Sequence, residues 1–231
     1  MRLDKFLSQY TDYSRSQIQQ LVKAARVTVN NEVVRKADIK LRGDEQVKLD
    51  GQLIVAFAYR YIMLHKPLGY VCANNDSEHP VVVDLLDVPR KQDLQIAGRL
   101  DIDTTGLILL TDDGQWNHRI TAPKQECSKT YQVITAEPIQ QDVISLFAQG
   151  VQLHGEKHLT RPAHLEILSS HSARLQIHEG KYHQVKRMFA ATGNRVIQLH
   201  RESIGNIKLD SQLAPGEYRP LNEIEIQEST Q

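Results

Sequence analysis

Residues 97–114 read AGRLDIDTTGLILLTDDG, and the placing of the surrounding chain follows from them. The run LILL at 107–110 has the length and apolar character of a buried strand, and Thr104, Thr105 and Gly106 ahead of it have the composition of a loop. Four aspartates frame that strand. Asp112 or Thr111 is expected to cap a short helix through WNHRI, with Asp113 in its first turn, where negative charge is favoured. Asp101 and Asp103 cap nothing evident. They stay open to three readings: Asx turns, metal ligands, or carboxylates of an active site.

Outward from this stretch the chain is strand-rich. YIMLHK, LILLT, TYQVIT, HLEIL, ARLQIH, VIQL and NIKL are short apolar or β-branched runs separated by turn signals. Two helices interrupt them. PIQQDVISLFAQG is expected to start at Pro138 and close at Gly150, and HQVKRMFAATGN to bury Val185, Met188 and Phe189 and stop at Gly193. No regular strand–helix alternation is present, so the body is expected to be α+β, with a mixed, mostly antiparallel sheet flanked by helices.

The first sixty residues differ. Leu3, Phe6 and Leu7 share one helical face, and a second helix is expected from an N-cap at Ser14, with Ile18, Leu21 and Val22 at the same spacing. VTVNNEVV follows, its valines flanking Asn30 and Asn31, which suit a tight hairpin turn. QVKLD is read as a further strand and LIVAFAYR as a last strand and linker, which puts a domain boundary near 55–60, with domains at 1–57 and 60–231. Lys+Arg and Asp+Glu number 28 each over the chain, yet residues 1–60 hold eleven basic against seven acidic side chains. A basic N-terminal module therefore precedes a mildly acidic body, with Arg2, Lys5, Arg15, Lys23 and Arg26 on or between its helices, where they are placed to follow a phosphate backbone or to form a solvated surface.

Cys72 and Cys127 are the only cysteines, so no paired-cysteine metal spacing exists and both are expected to be free thiols. The N-terminus MRLDKFLSQY lacks the apolar core of a signal peptide, and no run approaches the roughly 18 apolar residues of a membrane span, so a cytoplasmic protein is expected.

Four further features bear on chemistry. Taken literally, DIDTT matches the DxDxT signature of aspartyl-phosphate phosphatases, but Gly98 and Arg99 stand where that motif needs a buried parallel strand. In EGKYHQVKRMF, His183, Lys186 and Arg187 fall on the helical face opposite Val185, Met188 and Phe189, either as a solvated basic face or as cations for a carboxylate and phosphates. In KTYQV, Tyr131 stands in a strand beside Lys129 and fits core filling as well as chemistry. His154 and His158 are four apart but have no evident third ligand, so no metal site is expected.

MRLDKFLSQYTDYSRSQIQQLVKAARVTVNNEVV resembles the small RNA-binding module named after ribosomal protein S4. HKPLGYV, AGRLDIDTTGLILLTDDGQWNHRIT, KTYQV and EGKYHQVKRMFAATGNRVIQLHRESIGNIKL, in that order, are similar to the motifs of the RsuA-type ribosomal RNA pseudouridine synthases. The continuous match through DDGQWNHRIT favours the small-subunit branch over the large-subunit relatives, and the presence of Asp101, Tyr131 and Lys186 together favours an enzyme over a non-catalytic assembly factor. The resemblance implies isomerisation of a uridine in small-subunit ribosomal RNA, free or partly assembled, by a monomer without metal or organic cofactor. It implies Asp101 as the essential carboxylate, Arg99 as the basic residue near it, Tyr131 as the ring that stacks on the target base, and Lys186 as the cation paired with Asp101. Related synthases usually carry Arg at that last position, so Arg187 stands as its alternative. Lys181, His183 and Arg187 are expected to hold RNA. Asp103 receives no role.

Overall fold

The computed structural model describes residues 1–56, 58–122 and 125–229. They divide into two compact units, Met1–Ala58 and Tyr59–Gln231.

In the first unit, helices α1 (Leu3–Tyr10) and α2 (Arg15–Lys23) cover a four-stranded antiparallel sheet. Its strands are β1 (Val27–Val29), β2 (Glu32–Val33), β3 (Val47–Leu49) and β4 (Gln52–Leu53), in the order β2-β1-β3-β4. Leu3, Leu7, Ile18 and Val22 are fully buried against Val27 and Val47, as the helical spacing requires. Ser14 and Gln17 form a reciprocal capping box at the start of α2. Asn30 and Asn31 both take left-handed backbone, with φ of 52° and 68°, the geometry that a two-residue hairpin needs. LIVAFAYR supplies only the end of β4, and its Phe57 lies outside the described residues.

The second unit is built on one nine-stranded sheet. Its strands are β5 (Tyr61–Lys66), β6 (Gln95–Ala97), β7 (Thr105–Thr111), β8 (Lys129–Thr135), β9 (His164–Ser169), β10 (Ser172–Ile177), β11 (Val196–Ile204), β12 (Ile207–Lys208) and β13 (Tyr218–Pro220). The path runs β13-β5-β7-β11-β8-β10-β9, with β6 on β7 and β12 on β11. Among the described residues every strand pairing is antiparallel except β7 with β11, where Thr105 lies opposite His200 and Gly106 opposite Arg201. At that junction the backbones nearly touch. A Cβ on Gly106, whose φ is +111°, would sit 2.3 Å from the Arg201 carbonyl oxygen, so only glycine fits.

β7 is apolar through its centre because both faces of the sheet are covered. Ile108 and Leu110 join a core with α4 (Asp142–Gln149) and α5 (Gln184–Ala191), through Val143, Phe147, Met188 and Phe189. Leu107 and Leu109 join a second core with Trp116 and Ile120 of α3 (Gly114–Thr121). A short helix, α6 (Glu223–Glu228), follows the last strand. No helix among the described residues is long and apolar enough to cross a membrane.

Three local expectations are corrected. Thr105 and Gly106 belong to β7 and not to the loop before it, because β11 pairs with them. Asp113, not Asp112 or Thr111, caps α3, accepting the amides of Gln115 at 2.9 Å and Trp116 at 3.2 Å. Asp112 is occupied by the amide and guanidinium of Arg60, at 2.7 and 2.8 Å. The helix expected from Pro138 begins only at Asp142, because the Ile139 amide donates to the Ser170 carbonyl and holds that segment extended along the β9–β10 turn.

Candidate active site

The segment 98–104 leaves β6 and enters β7 as a tight loop whose carbonyls are held by two buried cations. Arg201, on β11, donates Nη2 to Gly98 O at 3.0 Å, Nη1 to Arg99 O at 3.4 Å and Nε to Leu107 O at 2.9 Å. Lys66, at the end of β5 and without exposed surface, donates to Thr104 O at 2.8 Å and more distantly to Ile102 O at 3.4 Å. The Gly69 amide also reaches Ile102 O, at 2.9 Å. A turn closes from the Thr104 amide to Asp101 O at 3.1 Å, and the Leu100 amide points at Cys72 Sγ at 3.3 Å. With so many of its polar groups partnered, the loop has few ways to rearrange.

That loop projects Asp101 into a cavity of about 640 Å³ whose wall includes Arg99, Tyr131, Lys181, His183 and Lys186. Asp101 Oδ2 lies 3.2 Å from Lys186 Nζ and Oδ1 3.3 Å from His183 Nε2. Lys186 also bonds Asp103 Oδ1 at 2.5 Å. The Asp101 side chain is 30% exposed and that of Asp103 66%, so the first is drawn into the wall and the second stays at the rim. Tyr131 is buried in β8, opposite Leu175 of β10 and Arg201 of β11, with its ring on the cavity wall.

Charge follows from this geometry. Burial works against the Asp103 carboxylate, but the hydrogen bond and charge of Lys186 outweigh it and hold the carboxyl below its ordinary range. Burial likewise works against the Lys186 ammonium, and the two aspartates reverse it, so Lys186 stays protonated beyond the usual lysine range. Lys66 has no such carboxylate contact, and burial pulls it down. Burial pushes the Cys72 and Cys127 thiols up, which keeps both protonated and unfit as nucleophiles. Asp101, Asp103 and Glu179 are the carboxylates on the cavity wall.

The residues proposed from sequence are only partly assembled here. Lys186 reaches Asp101, whereas Arg187 turns to Glu156 Oε1 at 3.1 Å and to the carbonyls of His154 and Tyr182 at 2.6 and 3.0 Å. Arg187 is thus not the partner of Asp101, and it is absent from the cavity wall. Lys181 lines the cavity but also pairs with Glu156, at 3.1 Å. His183 does not share the helical face of Lys186. It precedes α5 in left-handed backbone, φ 46°, and reaches Asp101 from the turn. In the first unit Arg2 is paired with Asp4 and Arg26 with Asp50, and Lys5, Arg15 and Lys23 are exposed. Among the described residues no three His, Cys, Asp or Glu side chains converge as metal ligands. DIDTT follows an antiparallel strand, unlike the phosphatase motif.

This loop, cavity and sheet have relatives. Residues 60–191 match the family described as RNA pseudouridylate synthase, and residues 1–47 match the S4 domain. The chain belongs to the RNA pseudouridylate synthase family. It is 55% identical over 227 residues to the ribosomal small subunit pseudouridine synthase A of Yersinia pestis, covering 98% of this chain and 97% of that one. The corresponding protein of Escherichia coli K12 is also 55% identical, with 98% of each chain covered. A solved structure described as a pseudouridylate synthase is 45% identical and superposes with a TM-score of 0.73 over 99% of both chains. As a pseudouridine synthase the chain is an isomerase, and its α+β body is that of the family.

Lys66 and Arg201 went unnoticed in the sequence although they lie within HKPLGYV and LHRESIGN. A basic residue at the end of an apolar strand ordinarily reads as exposed. The available signal was a Lys directly before Pro and close to Gly, where the chain turns and leaves carbonyls that need donors.

Proposed function

We propose that this enzyme converts a uridine of small-subunit ribosomal RNA to pseudouridine, with Asp101 as the catalytic carboxylate. The observation that carries this reading is the Asp101–Lys186 pair at 3.2 Å on the wall of a cavity of about 640 Å³, on a loop pinned by Lys66 and Arg201.

The reaction breaks the bond from ribose C1′ to uracil N1, turns the base, and joins C1′ to C5. N1 gains a proton and C5 loses one, so composition is unchanged. A carboxylate serves either by attacking the sugar or by removing a ribose proton, and both routes need Asp101 ionised. Lys186 Nζ at 3.2 Å and His183 Nε2 at 3.3 Å are the groups that face the two carboxylate oxygens. The pinned loop keeps the carboxylate in place while the freed uracil rotates. Tyr131 supplies an aromatic face for the flipped base, a contact worth roughly 1–3 kcal/mol.

Arg99, exposed on the loop, is the cation that would meet the RNA backbone at the cavity, with His183 on the same wall. Contact with RNA through Lys181 or Arg187 would require them to leave Glu156. Residues 1–57, through Lys5, Arg15, Lys23, Arg2 and Arg26, add sequence-independent affinity. On the same proposal, the enzyme acts as a monomer in the cytoplasm.

The test uses small-subunit ribosomal RNA labelled with tritium at uracil C5. The wild-type protein should release tritium to water in excess chelator. Asp101→Asn, nearly isosteric and uncharged, should abolish release and still bind the RNA. Full release by Asp101→Asn, or chelator-sensitive phosphate release in its place, would falsify the assignment.

A further inference from the structure

Tyr182 is the most exposed large apolar side chain among the described residues, at 76%, and its position is a constrained one. It lies in the turn before α5 and on the wall of the Asp101 cavity. One face of its ring is stacked on the His183 imidazole, with centroids 3.8 Å apart and planes 20° from parallel. The imidazole in turn places Nε2 3.3 Å from Asp101 Oδ1. The turn is braced: His183 is held in left-handed backbone at φ 46°, and Arg187 Nη1 donates to Tyr182 O at 3.0 Å while paired with Glu156. A non-glycine residue kept in that conformation costs stability that the surrounding contacts must supply, and such outliers gather at ligand sites.

Packing does not account for this ring, because most of it faces water. A nucleobase does. Flipping a uridine out of its stack leaves the adjoining base with one bare face, and an aromatic ring at the cavity mouth can cover it. The exposed Arg99 guanidinium on the same cavity wall suits the phosphate that links the two nucleotides. From this arrangement we infer that Tyr182 is the stacking platform for the base next to the target uridine, so that the enzyme grips two successive nucleotides: one between Asp101 and Tyr131, one on Tyr182. The inference rests on the isomerase reading of the Asp101 site, and it makes Tyr182 a residue of substrate recognition.

The experiment is a cycle between protein and RNA variants, read as affinity by filter binding. A small-subunit ribosomal RNA fragment is prepared intact and with a single abasic nucleotide placed in turn at each position. It is bound by wild type, Tyr182→Phe, Tyr182→Leu and Tyr182→Ala. On intact RNA, Ala and Leu should each lose roughly ten-fold in affinity, and Phe, which keeps the ring, should match wild type. On the RNA lacking the base beside the modified uridine, the four proteins should bind alike. Equal losses on every RNA, a neutralising position remote from the modified uridine, or Leu binding as well as Phe would each overturn the platform. Unchanged affinity with a lower kcat in Tyr182→Ala would also overturn it, and would show that the ring acts only by positioning His183. Tritium release is scored separately: its absence in wild type would remove the isomerase reading, whereas the affinity cycle needs no turnover and still reports whether a base sits on Tyr182.

Discussion

Lys186 Nζ bonds Asp103 Oδ1 at 2.5 Å, closer than the 3.2 Å that separates it from the Asp101 carboxylate it is expected to serve. The lysine is therefore shared. Asp103, to which the family motifs give no role, tethers the cation from the rim side and fixes where it stands relative to Asp101. A lysine has three donors on one nitrogen and can hold two carboxylates at once, whereas the arginine usual at this position would favour a bidentate grip on one.

Asp103→Asn should consequently lower turnover by no more than about ten-fold while leaving RNA affinity near wild type, because an exposed ion pair contributes roughly 0.2–1 kcal/mol. Its stability difference from wild type carries a pH signature. The Asp103 carboxyl is lowered in the folded protein, so its contribution is complete above the ordinary carboxylate range and is lost as pH falls through the lowered value. Denaturant unfolding at stepped pH should show the gap between the two proteins closing as pH falls on the acid side, and otherwise only at alkaline pH where Lys186 gives up its proton. A gap that widens on acidification would mean that Lys186 does not tether Asp103 in solution.

Arg201→Lys tests the loop clamp. One ammonium cannot span Gly98 O and Leu107 O as the guanidinium does, so at least one carbonyl is left without its donor, at a cost of about 1–3 kcal/mol. The variant should unfold at lower denaturant and lose kcat with little change in KM, since the loop presents Asp101 to the reaction more than it binds RNA. A pure KM effect would place Arg201 in RNA binding instead.

Tyr131→Phe and Tyr131→Ala separate ring from hydroxyl. Stacking should survive in Phe and fail in Ala, so affinity for target RNA should fall by roughly five-fold or more only in Ala. Comparable affinity and wild-type turnover in both would return Tyr131 to the core of the sheet.

Deleting residues 1–57 should leave a folded isomerase body, because the two units have separate hydrophobic cores, around Leu7 and Ile18 in one and around Leu110 and Phe189 in the other. The shortened protein should bind RNA more weakly and with a flatter dependence of log affinity on log salt, because fewer phosphates are neutralised. An unchanged slope would show that the basic side chains of the first unit do not touch RNA.

Much of this molecule was legible in one dimension because the deciding interactions are local. The Ser14 capping box and the Asn30–Asn31 turn are settled by residues within four positions of each other. The apolar run at 107–110 had to be a strand covered on both sides, and the polar, glycine-led string ahead of it had to contain a loop. Local reading failed where distant partners intervened. Asp112 reads as the helix cap on paper, but Arg60, fifty-two positions away, took it, and Asp113 caps the helix instead. Thr105 and Gly106 have loop composition, and β11 drew them into the sheet.

Sequence alone thus determined the α+β class, the basic module ahead of the sheet and the family motifs, and it marked Asp101 as a candidate. Tertiary structure decided the rest of the site. Lys66, the Asp101–Asp103 loop, Lys186 and Arg201 come from separate stretches of chain, and they meet because β5, β7 and β11 lie side by side with α5 packed against the same core. Periodicity reports that a side chain is buried but not which carbonyl it will face. The need of a buried ammonium or guanidinium for oxygen partners is satisfied only in three dimensions, and here the loop bearing Asp101 supplies them.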